Sequence, residues 1–102
     1  MSNLAILYRK IDKALQEYDI EGLISIGAPD SEYEVEAKEI FEAIYKLNPE
    51  EIKVELVSSI ISKVWSKMFT LDELDLSQRQ EIFDKIAQQL VSDISSEFGK
   101  IE

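Results

Sequence analysis

The chain has 102 residues, 45% apolar and 31% charged, enough for one globular domain over residues 1–102 with a single core. It contains no cysteine and no histidine, which removes disulfides, thiol nucleophiles, zinc–thiolate sites and the commonest general base and metal ligand. The formal charge of −10 is concentrated: residues 19–36 hold six acids and no base, and residues 71–102 sum to −5. Anionic surface repels phosphate backbones, so no nucleic-acid partner is expected, and basic proteins are favoured. The same charge also serves simply to keep a small protein in solution.

The first element is a helix over about residues 3–18. Leu4, Leu7, Tyr8, Ile11, Ala14, Leu15 and Tyr18 recur at helical spacing within roughly 120° of arc. This N-terminal stretch carries Arg9 and Lys10 inside the apolar period and lacks a signal-peptide core. No apolar run approaches the ~20 residues that span a bilayer, so the expectation is a cytoplasmic protein with no membrane partner.

Residues 19–30 break the pattern with Gly22, Gly27 and Pro29. Leu23, Ile24 and Ile26 are apolar, so this loop is expected to tuck into the core. Asp19 is placed to brace the turn, and both glycines are candidates for positive φ. Ser31-Glu32-Tyr33-Glu34 fits a capping box opening a second helix, with Tyr33, Ala37, Ile40, Phe41, Ile44 and Leu47 on its inner face. Asn48-Pro49-Glu50-Glu51 reads as the start of a third helix reaching about Phe69. Its apolar residues, Leu56 to Phe69, cover roughly 220° of arc, more than a peripheral helix needs to bury. An acidic connector over 70–76 precedes a third box, Ser77-Gln78-Arg79-Gln80. A fourth helix then runs to Phe98, with Gly99 as its stop. Four capped apolar periods predict an all-α, four-helix bundle-like domain with an irregular Gly/Pro-containing loop between helices one and two.

Tyr18-Asp19-Ile20-Glu21-Gly22-Leu23-Ile24, followed by Gly27-Ala28-Pro29 and by Glu32-Tyr33 and Glu36, resembles the YugE-like family of small helical bacterial proteins of unknown function. Val64-Trp65, Met68-Phe69 and Ile86-Ala87 occupy places similar to that family's later half. The chain departs from the pattern at Tyr18, where tryptophan is usual, and at Ile20, where proline is usual. The resemblance implies a small helical fold and no particular activity.

Without histidine, cysteine, a Gly-x-Ser-x-Gly elbow or a phosphate-binding glycine loop, catalysis would rest on carboxylates, lysine or a bound metal. Glu36, Glu39 and Glu42 on helix two and Glu81 and Asp84 on helix four have the i, i+3 spacing of Mg²⁺-holding pairs in all-α nucleotide pyrophosphohydrolases. The phase of Glu39 and Glu42 relative to Ile40 and Ile44, and of Glu81 and Asp84 relative to Ile86 and Leu90, turns these carboxylates toward water instead. No catalytic residue, metal or other cofactor is therefore assigned.

The function that the sequence favours is a non-catalytic protein-interaction module. One specific form is an immunity protein neutralising a basic toxin, since acidic complementarity speeds such encounters. The alternative is a small Mg²⁺-dependent nucleotide phosphohydrolase built on the carboxylates above. The interaction surface is drawn from Glu21, Asp30, Glu32 and Tyr33 of the loop region and from Trp65 and Phe69 of helix three. Two readings stand for each group. The loop either plugs the bundle or recognises a partner, and Trp65 is either core or the anchor of an interface, including a homodimer.

Overall fold

In the computed structural model the described residues are 3–98. The side chains of Leu4 and Phe98 and the whole of Gly99, used in the sequence reading, lie outside them. Four α-helices follow one another: α1 (Asn3–Tyr18), α2 (Glu34–Tyr45), α3 (Val54–Phe69) and α4 (Glu73–Phe98). Single 3-10 turns at Asp30–Tyr33 and Pro49–Glu51 precede α2 and α3. There is no strand among the described residues.

Each helix contributes one stripe to a common core, as its apolar period requires. The stripes are Leu7, Ile11, Ala14 and Leu15 from α1, and Ala37, Ile40 and Ile44 from α2. Val57, Ile61, Val64 and Trp65 come from α3, and Phe83, Ile86, Ala87, Leu90 and Ile94 from α4. Neighbours in the bundle are α1 with α2, α2 with α3, α3 with α4, and α4 with α1, so α2 and α4 stand on a diagonal. Contacts show antiparallel pairing. Tyr8 meets Phe41 while Asp19 meets Tyr33. Ser58 meets Asp84, whereas Trp65, further along α3, meets Phe83, earlier in α4.

The helix starts differ from the expected ones. The Ser31 box does not form; α2 begins at Glu34 after a 3-10 turn, with Tyr33 at its N-cap and no side-chain cap. The Asn48 turn does form, the Glu51 carboxylate accepting from the Asn48 N–H at 2.8 Å, but it closes only a 3-10 turn. Ile52 and Lys53 are then extended, and α3 starts at Val54. The acidic connector is largely helix. Asp72 Oδ1 accepts from the Asp75 N–H at 2.9 Å, capping α4 five residues ahead of Ser77. Thr70 ends α3 in the left-handed region (φ 54°), and the Leu71 N–H reaches back to the Ser66 carbonyl, a Schellman-type stop without glycine.

The wide apolar arc of α3 is largely covered from within the chain, Leu56 (38% exposed) excepted. Trp65 is fully buried, its ring 5.8 Å from Tyr33, 5.2 Å from Phe69 and 6.3 Å from Phe83 between centroids. Phe69 is partly buried against the core. Trp65 is therefore a core residue and not the surface anchor of the interface reading, because the loop after α1 lies over it. Among the described residues no helix is long and apolar enough to cross a membrane.

Candidate interaction site at the loop end of the bundle

The segment joining α1 to α2 is built around one carboxylate. Asp19 leaves the helix with φ 44°, a conformation that aspartate tolerates better than most residues. Its Oδ1 accepts from the Ile24 N–H (3.1 Å) and the Tyr33 hydroxyl (2.7 Å), and its Oδ2 from the Ser25 N–H (3.0 Å). The Tyr33 hydroxyl in turn accepts from the backbone N–H groups of Glu21 (3.2 Å) and Leu23 (3.4 Å). Donation by Tyr33, more than any other contact, lowers the Asp19 pKa. Burial, followed by the Asp19 hydrogen bond, pushes Tyr33 up to about 12. Gly22 (φ 69°) and Gly27 (φ 117°) supply the positive φ values the loop needs.

A second carboxylate fastens this loop to the far side of the bundle. Glu21 receives a bidentate guanidinium from Arg79 on α4, Nε–Oε2 2.6 Å and Nη2–Oε1 2.8 Å, and the Trp65 indole N–H at 2.8 Å. Arg79 is the chief cause of the lowered Glu21 pKa. Paired Arg–carboxylate geometry is among the stronger polar contacts in proteins. Glu21 is thus an internal latch and Tyr33 a buried scaffold residue, so neither is exposed for recognition as the sequence reading had it. Of the loop-region candidates, Asp30 and Glu32 do face solvent.

The loop is then a plug and a display at once. Ile20, Leu23 and Ile24 pack against the core, but Ile26, expected inside, is 81% exposed. The Asp19 bonds to Ile24 and Ser25 and the turn closed by the Gly27 N–H on the Ile24 carbonyl lift the tip away from the bundle. The antiparallel order and the Glu21–Arg79 latch bring the end of α1, the start of α2 and the start of α4 to this same end of the molecule. Here Val35 is 56% and Leu74 66% exposed, alongside the exposed acids Asp30, Glu32, Glu34, Asp72 and Glu73. Sequence reasoning missed Ile26 as a display residue and Arg79 as the latch. Arg79 is the only base between Lys67 and Lys85, and such isolation inside an acidic stretch is a signal for a committed ion pair.

The carboxylates of the metal reading are scattered. Those on α2 and α4 belong to helices that stand diagonally in the bundle. Glu39 pairs with Lys67 on α3 at 2.7 Å. Glu81 lies 4.0 Å from Lys85. Asp84 is not turned simply to water: its Oδ1 accepts from the Ser58 hydroxyl (2.7 Å) and Gln80 Nε2 (2.9 Å), which hold its pKa down. No group of three or more potential ligands is gathered in metal-holding geometry among the described residues. This network floors an open groove of about 450 Å³ between α3 and α4, bordered by Glu55, Ser59, Ser62 and Lys63. Its one buried hydroxyl, Ser58, is already satisfied, so the groove reads as a solvated seam between two helices.

No protein-family model matches this chain, and comparison with curated proteins and with solved structures gives no match either.

Proposed function

We propose that this chain is a non-catalytic protein-interaction module acting through the loop end of its bundle. The observation that carries the reading is Ile26, 81% exposed at the tip of a loop that the Asp19–Tyr33 and Glu21–Arg79 contacts tie to the bundle. One exposed isoleucine alone is ordinary on a protein surface, but here Val35 and Leu74 are exposed at the same end of the bundle. Preorganised apolar residues ringed by polar ones are what a binding hot spot requires, because little conformational entropy is then lost on docking. The surrounding acids favour a basic partner and accelerate its arrival. An immunity protein that neutralises a basic toxin is the specific form we favour. The resemblance of residues 19–36 to the YugE-like family agrees with a small helical scaffold and leaves the activity open. The phosphohydrolase alternative has no comparable support, since its carboxylates lie on helices that are not neighbours.

The test is retention of partner by tagged protein in its native host. Wild type and Leu56→Asp, altered at the opposite end, should retain the same basic protein, and Ile26→Asp should lose it. Retention by all three, or by none, would set this reading aside.

A further inference from the structure

Of the six acids between Asp19 and Glu36, two are consumed by the fold, Asp19 by the loop amides and Tyr33 and Glu21 by Arg79 and Trp65. Asp30, Glu32 and Glu34 are exposed to water. Glu36 fits neither class. On the first turn of α2 it is only 7% exposed, and its Oε1 is shut off from solvent with no hydrogen-bond partner. A buried polar atom left unpaired is costly and rare in native proteins, more so on a group that ionises. Its pKa is pushed up, first by burial, while its own backbone N–H pulls the other way and the charge of Glu32, one turn earlier, adds to the rise. Glu32 lies four positions back, in the 3-10 turn that leads into α2. Three residues on, on the same side of α2, Glu39 has its cation in Lys67. Glu36 has none among the described residues.

We propose that Glu36, with Glu32 beside it, is the receptor for an arginine side chain carried by a basic partner protein. The inference rests on the interaction reading above and names the chemistry of the partner. An arginine fits better than a lysine for two reasons. Its planar fork serves two carboxylate oxygens at once, and its weaker hydration makes pairing with a mostly buried carboxylate less costly. The exposed Glu32 gives the guanidinium its approach, and a rotation of the Glu36 side chain toward Glu32 brings its sealed oxygen out to the pair. The free protein holds this carboxyl in an unfavourable state, so the partner's cation gains more there than on an exposed acid.

The probe is a hexaarginine peptide, titrated into wild type, Glu36→Gln, Glu32→Gln and Glu42→Gln at fixed salt. Glu42 is an exposed acid on the same helix, so its substitution removes an equal formal charge. The expected result is at least tenfold weaker binding for Glu36→Gln, an intermediate loss for Glu32→Gln and less than twofold for Glu42→Gln. In the wild-type protein, which requires no substitution to fold, the Glu36 side-chain ¹³C resonance should titrate at lower pH with peptide bound than without. Hexalysine should bind several-fold more weakly than hexaarginine. Equal losses for Glu36→Gln and Glu42→Gln, no binding, or an unmoved Glu36 titration would overturn the proposal; equal binding of the two peptides would overturn the choice of arginine. If Glu36→Gln is silent while Ile26→Asp still loses the native partner, the arginine receptor falls and the interaction reading stands. Loss of the Ile26 effect with the Glu36 effect intact gives the converse.

Discussion

At the scale of single residues, Tyr33 connects the loop to the core. Its ring packs on Trp65 and its hydroxyl joins Asp19 to two backbone amides. Tyr33→Phe keeps the ring and strips three hydrogen bonds, leaving the loop amides without that acceptor. The expected cost is about 1–3 kcal/mol, read from urea unfolding. Glu36 has the opposite character, because its folded-state pKa lies above the unfolded value. The stability associated with its protonated form is therefore present below the unfolded pKa and lost as pH rises through the folded one. Asp19 and Glu21, both lowered, behave in reverse: their contribution is present above the unfolded pKa and lost as pH falls through the folded one. Wild type should accordingly show an acid-side loss from Asp19 and Glu21 and a separate decline on the rising limb from Glu36. In Glu36→Gln the second decline should vanish and the first persist, as measured by unfolding free energy across pH. An unchanged rising limb would show that Glu36 ionises without penalty.

At the scale of elements, apolar periodicity located all four helices, and α1 runs over the expected 3–18. It worked because each stripe faces one core and each helix has one dominant side. Starts were less legible, since a capping-box sequence is compatible with a 3-10 turn as well as with an α-helix. Ser31 lies in one 3-10 turn and Asn48 opens another, and the extended Ile52–Lys53 pair then resets the chain before α3. Asp19 as the loop's brace and the positive φ of both glycines were readable from residue type. The Glu21–Arg79 pair, separated by 58 positions, was not, because no local rule links residues that only the tertiary fold brings together. The end of α3 gives a prediction of its own. Thr70 is β-branched and held at φ 54° on the surface, where a Cβ is strained. Thr70→Gly should stabilise the domain by about 0.5–1 kcal/mol, the relief of strain exceeding the added chain entropy of glycine. A lower melting temperature would show that the threonine side chain contributes more than its backbone costs.

At the scale of the whole molecule, the two ends of the bundle differ in kind. The loop end is fastened by Asp19, Tyr33, Glu21 and Arg79, yet presents Ile26, Val35 and Leu74 among acids. The core beneath it depends on Trp65, whose burial within the chain bears on assembly. Trp65→Glu would place a charge among Tyr33, Phe69 and Phe83 and opposite the Glu21 carboxylate. It should unfold the domain, abolishing the helical circular dichroism signal, instead of separating subunits that stay helical. A helical Trp65→Glu monomer derived from a wild-type dimer would restore the interface role for this tryptophan.

Whether the loop end is the recognition surface is tested most directly by photo-crosslinking in living native-host cells. A benzophenone amino acid is placed at position 26 in one protein and at position 56, on the opposite end, in another. Position 26 should give one discrete adduct containing a basic protein, and position 56 none. No adduct from position 26, or the same adducts from both positions, would contradict a partner docked on the loop.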